Sequence, residues 1–363
     1  NQVIIRNNNA PSAGGVSIDD SYVNFYSVEI SNNLALEYAG GIKCGGSELY
    51  MTQTLIENNV TEGPGGGIHL SSSGNDGITV LEGQDTWIRG NTASYGGGIR
   101  LNASGFDVDT LRISGLNIVY NTAESSGGGI HISGGDRATT QLLNIQVTQN
   151  HANGWGGGIY YPSGSRNNSI NNCTISGNSC FMQDGGGGLY LMGDPNSGSS
   201  DVTITNSILY NNWPSEIDFQ SYGTPELYGV NISYSDWEND LGNIDGLLIL
   251  MEENNITEDP QFYVNDDLFS LLPTSPCIDT GNPDYPRDPD GTIADMGSQY
   301  YHQTYILGDI NSDGIIDVLD IIRGINIILG DEPTPMELVA GDMDLDYIIT
   351  ILDIIQIINI ILM

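Results

Sequence analysis

Two twelve-residue stretches near the C-terminal end of the chain place oxygen ligands at the spacing of a calcium loop. In the first stretch, Gly314 stands at loop position 6, and the oxygen ligands at positions 1, 3, 5, 7, 9 and 12 come from Asp309, Asn311, Asp313, Ile315, Asp317 and Asp320. In the second, the same positions hold Asp342, Asp344, Asp346, Ile348, Thr350 and Asp353. The two isoleucines would contribute backbone carbonyls. Carboxylates this dense repel one another without a cation, so the sequence predicts two calcium ions whose binding is coupled to folding.

The second stretch departs from the first at loop position 6, where Tyr347 stands in place of glycine. Glycine at that position supplies the sharp turn of the loop. The first site therefore keeps every feature of the pattern, whereas occupancy of the second is left open.

An apolar segment follows each loop. The segments Val318–Leu329 and Ile351–Met363 are predicted to be helices, and the second is apolar nearly all round. Its length of about 13 residues falls short of the roughly 20 needed to cross a bilayer, so no membrane span is expected. The apolar side chains either pack on the sister helix and the rest of the chain or bind a protein partner. The residues predicted to bind that partner are Val318, Leu319, Ile322, Ile325, Ile351, Leu352, Ile355 and Ile358.

The paired loops and helices resemble a type I dockerin over about 307–363, including aspartate at position 12 of both loops. The resemblance implies calcium-dependent docking onto a cohesin-like protein. The positions after Asp317 and Thr350 are Val318-Leu319 and Ile351-Leu352, where dockerins of cellulosomes usually have polar pairs. The identity of the partner is therefore left open.

Most of the remaining chain is a repeat. Glycine accounts for 48 of 363 residues, against an average share of about 7%. Runs of glycine followed by an aliphatic residue recur every 26–31 residues from Val16 to Leu189, and an aliphatic-x-x-Asn motif keeps the same period from Asn8 to Asn211. Short β-rich runs lie between them. Strands about 4.8 Å apart would then stack as the coils of a parallel β-solenoid.

The corners of these coils are predicted at the asparagines and the glycine runs. Each asparagine is expected to adopt the left-handed backbone conformation and to bond to the asparagine one coil away. The glycines are expected to turn the chain where a Cβ atom would clash.

These motifs resemble those of right-handed parallel β-helix proteins, and of polymorphic outer-membrane proteins in particular, over roughly 1–240. The resemblance implies an all-β fold with a right-handed parallel β-helix of about 8–10 coils at 1–243. A C-terminal cap and linker would occupy 244–306, and a small α-helical dockerin-like module 307–363. Because this fold serves enzymes and adhesins alike, it does not imply a function by itself.

The residues directly after the glycine–aliphatic motifs form a second candidate site. If each aliphatic side chain points into the core, the next residue points outward, and its copies stack about 4.8 Å apart. From the second motif onward these residues are basic or aromatic: Lys43, His69, Arg100, His131, Tyr160 and Tyr190. Such a stripe suits a polysaccharide, although outward strand positions favour the same residue types, and both explanations stay open. No set of carboxylates faces the stripe and no nucleophile has an activating neighbour, so no catalytic residue is predicted.

The charge balance limits the possible partners. Nine Lys+Arg against 46 Asp+Glu give a net charge of −37, which excludes nucleic acids and anionic bilayers and favours cations. The calcium loops on so acidic a chain indicate an extracellular or cell-surface protein whose leader has been removed. Cys173 and Cys180 could form a disulfide or remain buried thiols.

Together these features predict a non-catalytic extracellular structural or surface protein, with a role in adhesion or assembly. Its module would dock onto a cohesin-like partner or onto the next copy of the chain, because the first coil is an open edge without an evident cap. Repeated head-to-tail contacts would build a filament. The alternative is a polysaccharide-binding or polysaccharide-cleaving β-helix, a lyase or glycoside hydrolase, anchored through its dockerin.

Overall fold

The computed structural model describes residues 2–71, 78–103, 110–134, 139–161, 168–193, 200–221, 227–245, 247–263, 267–303, 306–331, 333, 335–344 and 348–362. The chain forms two compact units. One consists of Asn1–Cys277 with Met296–Gln299, and the other of Ile278–Asp295 with Tyr300–Met363. Asp346, a predicted calcium ligand, and its neighbour Tyr347 lie outside the described residues.

The first unit is built from three parallel sheets. Sheet A has 16 strands: β1 (Val3–Arg6), β4 (Tyr22–Tyr26), β5 (Val28–Ser31), β8 (Glu48–Thr52), β9 (Leu55–Glu57), β12 (Ile78–Arg89), β15 (Thr110–Val119), β18 (Thr139–Leu143), β19 (Gln146–Thr148), β22 (Asn168–Asn171), β23 (Thr174–Ser176), β26 (Ser200–Thr205), β27 (Ile208–Tyr210), β29 (Leu227–Ser233), β30 (Asp236–Trp237) and β32 (Leu247–Glu253). Sheet B has 7: β2 (Asn9–Ala10), β6 (Leu34–Ala35), β10 (Val60–Thr61), β13 (Thr92–Tyr95), β16 (Thr122–Ser126), β20 (His151–Ala152) and β24 (Ser179–Cys180). Sheet C has 9: β3 (Val16–Asp19), β7 (Ile42–Gly45), β11 (Ile68–Ser71), β14 (Ile99–Ala103), β17 (Ile130–Gly134), β21 (Ile159–Tyr161), β25 (Leu189–Gly193), β28 (Ile217–Ser221) and β31 (Leu241–Asp245).

The strand order confirms the predicted parallel β-solenoid. Each strand pairs with the strand one repeat later, so that Ile42 lies beside Ile68 and Ile68 beside Ile99. Seven turns contribute a strand to all three sheets, and sheet C continues for two more turns. One continuous row of buried aliphatic side chains fills the interior along these turns, because parallel strands whose inward positions are all apolar must be covered on that face.

A ladder of asparagines runs along one inner corner, as the sequence predicts. The Nδ2 of Asn121 donates to the Oδ1 of Asn150 at 3.0 Å, and the backbone N–H of Asn121 donates to the same atom at 2.9 Å. Equivalent bonds link Asn8, Asn33, Asn59, Asn91, Asn121, Asn150, Asn178 and Asn212 in order. Each buried amide is therefore paired, which avoids the cost of an unsatisfied polar group.

Two details of the predicted corner were wrong. The last rung is Asn212, not Asn211, because Leu209 rather than Ile208 is in register with Ile175. The left-handed conformation belongs to the residue before each ladder asparagine, for example Asn7 at φ 58° and Tyr120 at φ 57°. That residue makes the turn, which leaves the ladder asparagine free to point its amide inward.

The glycine runs lie where neighbouring turns approach most closely. A Cβ atom on Gly67 would meet the carbonyl oxygen of Gly98 at 2.6 Å, and Gly96 adopts a φ of +64°. Both positions exclude an L side chain, one by contact with the next turn and one by backbone conformation.

The second unit contains the helices of the described chain: α1 (Val318–Ile328), α2 (Pro335–Gly341) and α3 (Ile351–Ile361). The first and third are the predicted helices, and the short α2 was not predicted. No described helix is long and apolar enough to cross a membrane.

All four cysteines are buried and none forms a disulfide. Cys173 therefore keeps its thiol, and burial raises the pKa of that thiol to about 12. Of the two alternatives for Cys173 and Cys180, the structure has the thiols.

Candidate calcium-binding and docking site

The first loop is pre-shaped by hydrogen bonds from its own backbone. Asp309 accepts the N–H of Asp313 at 3.1 Å and the N–H of Gly314 at 2.8 Å. Asn311 Oδ1 also accepts from the N–H of Asp313, at 2.9 Å. Gly314 has a φ of +86°, which only glycine adopts without strain. These bonds fix the turn of the loop at the position that the spacing predicts.

The aspartate at loop position 12 joins each loop to its helix. Asp320 Oδ1 accepts the N–H of Asn311 at 3.0 Å, and its Oδ2 accepts the N–H of Asp317 at 2.8 Å. Asp317 is the N-cap of α1 and receives the N–H of Leu319 at 2.7 Å. The reciprocal pair is a capping box. It explains why the helix begins where the loop ends and why Asp320 is fully buried.

The second loop repeats this arrangement with Thr350 as the N-cap of α3. Asp353 Oδ2 accepts the N–H of Thr350 at 2.8 Å, and its Oδ1 accepts the N–H of Met343 at 2.8 Å. Carboxylate oxygens of Asp342, Asp344 and Asp353 all lie within 4.8 Å of one another.

This donor set fits calcium. All donors are oxygens, and two oxygens that both lie 2.4 Å from an ion are at most about 4.8 Å apart. Ile315 and Ile348 have no donor atom in their side chains, which are exposed, so only their backbone carbonyls can be ligands at position 7. A bound calcium would be held by Asp309, Asn311, Asp313, Asp317 and Asp320 in the first loop and by Asp342, Asp344, Thr350 and Asp353 in the second.

The described apolar core of the second unit is small. Ile310 is buried together with Ile354 and Ile357 of α3, and Ile321 and Ile327 of α1 pack against them. Gly324 allows this approach, because a Cβ atom there would collide with the Cδ1 of Ile354. Packing of the sister helices was one of the two explanations for their apolar character, and it accounts for only part of it.

Seven of the eight residues predicted to bind a partner are exposed, with between 38% and 60% of their surface accessible: Val318, Leu319, Ile322, Ile325, Ile351, Leu352 and Ile355. The eighth, Ile358, is half-buried against the core. Val318, Leu319 and Ile322 at the start of α1 correspond to Ile351, Leu352 and Ile355 at the start of α3, whereas Ile325 lies further along α1.

An ion-pair cluster beside α1 was not predicted. Arg323 on α1 donates to Glu337 on α2 at 2.8 Å and to Asp331 at 3.1 Å. Glu337 is the main cause of a raised pKa of the Arg323 guanidinium. The sign of this ion-pair cluster in the sequence is that Arg323 is a single arginine in a module otherwise without basic residues.

The second candidate site is a row of side chains on sheet C, here called the sheet C column: Lys43, His69, Arg100, His131, Tyr160 and Tyr190. Consecutive members are paired in register. The sequence analysis treated them as equivalent outward positions. In the structure His69, His131 and Tyr190 are only 6%, 6% and 2% exposed, whereas Lys43, Arg100 and Tyr160 are half-buried.

Two carboxyl groups inside the solenoid also escaped the sequence analysis. Glu216 accepts both the backbone N–H of Asn212, at 2.9 Å, and its side-chain amide, at 2.5 Å. Glu216 therefore terminates the asparagine ladder. Burial raises the pKa of Glu216 to about 8 and that of Asp236 to about 7. Both are fully buried, so these groups are structural and have no access to a substrate.

Fold and site together define a parallel β-solenoid joined to a calcium-loop and helix module. Residues 307–362 match the family model of the dockerin type I domain. Residues 144–162 match the model of the Chlamydia polymorphic membrane protein repeat, and this segment contains the ladder residue Asn150, one glycine run and strand β21. No curated protein and no solved structure matches the chain. The two resemblances drawn from the sequence are confirmed. The dockerin module implies calcium-dependent docking to another protein.

Proposed function

We propose that this is an extracellular, non-catalytic surface or structural protein that docks through α1 and α3 onto a cohesin-like protein when calcium is bound. The exposed apolar side chains at the starts of these two helices carry the proposal. Apolar clusters of this kind on a soluble surface mark sites of association. The match to dockerins favours a cohesin-like partner over a second copy of the chain.

The duplicated geometry supports one docking surface of two equivalent halves. Leu319 and Leu352 each follow the first residue of their helix, and each N–H is held by the N-cap residue before it. Because the caps belong to the calcium loops, a bound ion fixes the direction of both helices. Calcium binding and docking are therefore coupled.

The test measures binding of the full chain to immobilised type I cohesin domains, in calcium and then in chelator. Leu319→Asp and Leu352→Asp are each expected to weaken binding about 30-fold, as for loss of a central interface residue. Leu36→Asp, at an equally exposed leucine of the solenoid, is the matched control and should leave binding unchanged.

Light scattering of the chain alone separates the two partners. A monomer in calcium that binds a cohesin domain supports the proposal. If the chain alone forms oligomers in calcium and Leu319→Asp abolishes them, the partner is a second copy of the chain and not a cohesin-like protein. Binding that survives both helix substitutions would refute a docking role for α1 and α3.

A further inference from the structure

On the outer face of sheet C, large aromatic rings alternate with smaller side chains from one turn to the next. Beside the sheet C column lies a second row, five residues earlier in each repeat, here called the flanking column: Tyr38, Pro64, Tyr95, Ser126 and Trp155. Bridges pair Pro64 with Tyr95, Tyr95 with Ser126, and Ser126 with Trp155. Large aromatic rings therefore recur on every second turn.

Each of these rings covers the sheet C column residue of the following turn. Tyr38 contacts His69 and Tyr95 contacts His131, both with ring centroids 5.4 Å apart. Trp155 contacts Tyr190 at 6.2 Å. The covered residues are the three buried ones, so only Lys43, Arg100 and Tyr160 remain accessible, on alternate turns.

The two cations of this face have no anionic partner. The side chains of Lys43 and Arg100 form no hydrogen bond or ion pair with any residue that the structure describes. The Nε of Arg100 is buried without an acceptor, and the guanidinium lies 5.9 Å from the ring centroid of Tyr95. By contrast, Arg89 and Arg323 pair with glutamates. Burial lowers the pKa of Arg100 to about 10, which keeps it charged at neutral pH.

We propose that this face binds an extended, linear uronate polysaccharide along the solenoid axis. Two turns span about 9.6 Å, and two sugars of an extended 1,4-linked chain have a similar length. In a twofold chain every second carboxylate points to the same side. Consecutive carboxylates on that side would reach Lys43 and Arg100, since a planar guanidinium pairs well with a carboxylate.

The aromatic side chains complete the site. Tyr160 stacks on His131 with ring centroids 4.5 Å apart and an interplanar angle of 19°. Tyr160 also stacks on Tyr190, with ring centroids 5.5 Å apart. Both faces of the Tyr160 ring are therefore covered, and a sugar two turns beyond Arg100 would contact the exposed edge of the ring. The accessible positions from Lys43 to Tyr160 cover four steps, about 19 Å.

The acidic character of the chain does not prevent this binding. At 0.1 M salt, charges more than about 10 Å away are largely screened, so the local groups decide. Two aspartates lie near the two ends of the sheet C column: Asp19, in register with Gly45, and Asp218, which is in register with Tyr190 and is fully buried. They mark the ends of the binding face rather than interrupt it.

The inference is independent of docking and is tested by calorimetric titration of the full chain in calcium with oligomannuronates of increasing length. Affinity is expected to rise with length until the oligomer spans Lys43 to Tyr160. Arg100→Gln is expected to weaken binding at least about tenfold, since a charge-assisted hydrogen bond contributes about 1.5–3 kcal/mol. Arg112→Gln makes the same charge change at an exposed position of sheet A and should have no effect.

Both variants keep the calcium loops, so any binding of uronate carboxylates to calcium in these loops is the same in the two variants. Far-UV circular dichroism and thermal unfolding check that each variant folds. Equal loss of binding in the two variants would show unspecific charge attraction and would overturn the proposal. So would equal affinity for neutral oligosaccharides of the same length, or no binding to any uronate oligomer.

Discussion

The solenoid and the dockerin-type module satisfy their polar groups in opposite ways. Inside the solenoid, each ladder amide bonds to an identical amide one turn away, so the amides of the ladder are paired within the protein. In the module, the carboxylates of Asp342, Asp344 and Asp353 converge on one another and need a cation from outside. The solenoid thus carries its own means of stabilisation, whereas the module depends on its environment.

The two regions also differ in the use of apolar residues. The solenoid buries most of its isoleucines and leucines in one continuous core. The module buries only a small cluster around Ile310 and exposes most of the apolar surface of α1 and α3. A repeat that stacks on itself covers its own apolar face, but a pair of short helices leaves part of that face for a partner.

Calcium removal is expected to have the largest effect, and only on the module. Chelation leaves the converging carboxylates unneutralised, so α1 and α3 should lose protection in hydrogen exchange while strands β12 and β15 keep it. Calcium at a thousand times its dissociation constant stabilises the folded module by about 4 kcal/mol. Asp353→Asn should reproduce part of the loss.

The control for that variant is Asp284→Asn, an exposed aspartate of the same unit, which should not change calcium-dependent protection. Loss of protection throughout the solenoid on chelation would contradict the contrast between the two regions.

The buried Glu216 tests whether the solenoid depends on pH. Its pKa is raised from 4.5 to about 8, so the folded state holds its proton over a range where the unfolded chain has lost it. The stabilisation is full below about pH 4.5 and is lost as the pH rises through about 8. The free energy of unfolding of the native chain should therefore fall across this window relative to Glu216→Gln, by an amount on the order of 4 kcal/mol.

Asp236, Asp288 and Asp295 also have pKa values raised by burial, but both proteins retain them and the difference isolates Glu216. Glu253→Gln, at an exposed strand end, should show no such difference. A native profile parallel to that of Glu216→Gln would show that Glu216 is ionised in the folded state.

Loss of one ladder amide is expected to cost somewhat less. Asn121 donates to Ile88 and Asn150 and accepts from Asn91, so Asn121→Ala leaves buried partners unsatisfied. Denaturant unfolding should show a destabilisation of about 3 kcal/mol. Asn153→Ala, at an exposed asparagine of the same solenoid, should stay within about 0.5 kcal/mol of the native chain. An equal effect of the two substitutions would mean that the ladder does not stabilise the fold.

The smallest effect is expected at the contact between α1 and α3. Gly324→Ala adds a methyl group against Ile354 and Ile310, and the resulting overpacking offsets the better helix propensity of alanine. We expect a net loss of about 1–2 kcal/mol in the calcium-bound module, measured by its thermal unfolding. Asn326→Ala, at an exposed position of the same helix, should be neutral or slightly stabilising. Stabilisation by Gly324→Ala would show that the two helices do not pack closely.

The repeat and the calcium loops were predictable because each depends on the spacing of residues that are close together in the sequence. The glycine–aliphatic and asparagine motifs give the period of the solenoid, and a loop ligand is identified by its position within twelve residues. Caps follow in the same way, since Asp317 and Thr350 stand directly before their helices. The prediction of Asn211 in place of Asn212 shows the limit of this reasoning. Two adjacent asparagines and two adjacent aliphatic residues fit the motif equally well, and only the strand pairing shows which of them belong to the ladder.

The accessibility of the sheet C column could not be read from the sequence. Lys43 and His69 stand in the same place of the repeat, yet only His69 is covered, because Tyr38 reaches across from the preceding turn. Contacts between turns join residues about thirty positions apart, and the motif that identifies one turn holds no information about its neighbour's side chains. The buried carboxyl of Glu216 is a similar case.

By itself, then, the sequence determined the solenoid, its inward aliphatic row, the calcium ligand spacing and the two helices, because each is set by periodicity or by local backbone chemistry. Only the tertiary structure decided which outward residues stay accessible, which asparagine ends the ladder, and which face of each helix remains uncovered. Those properties depend on the stacking of one turn on the next and of one helix on the other, so they arise only once the chain has folded.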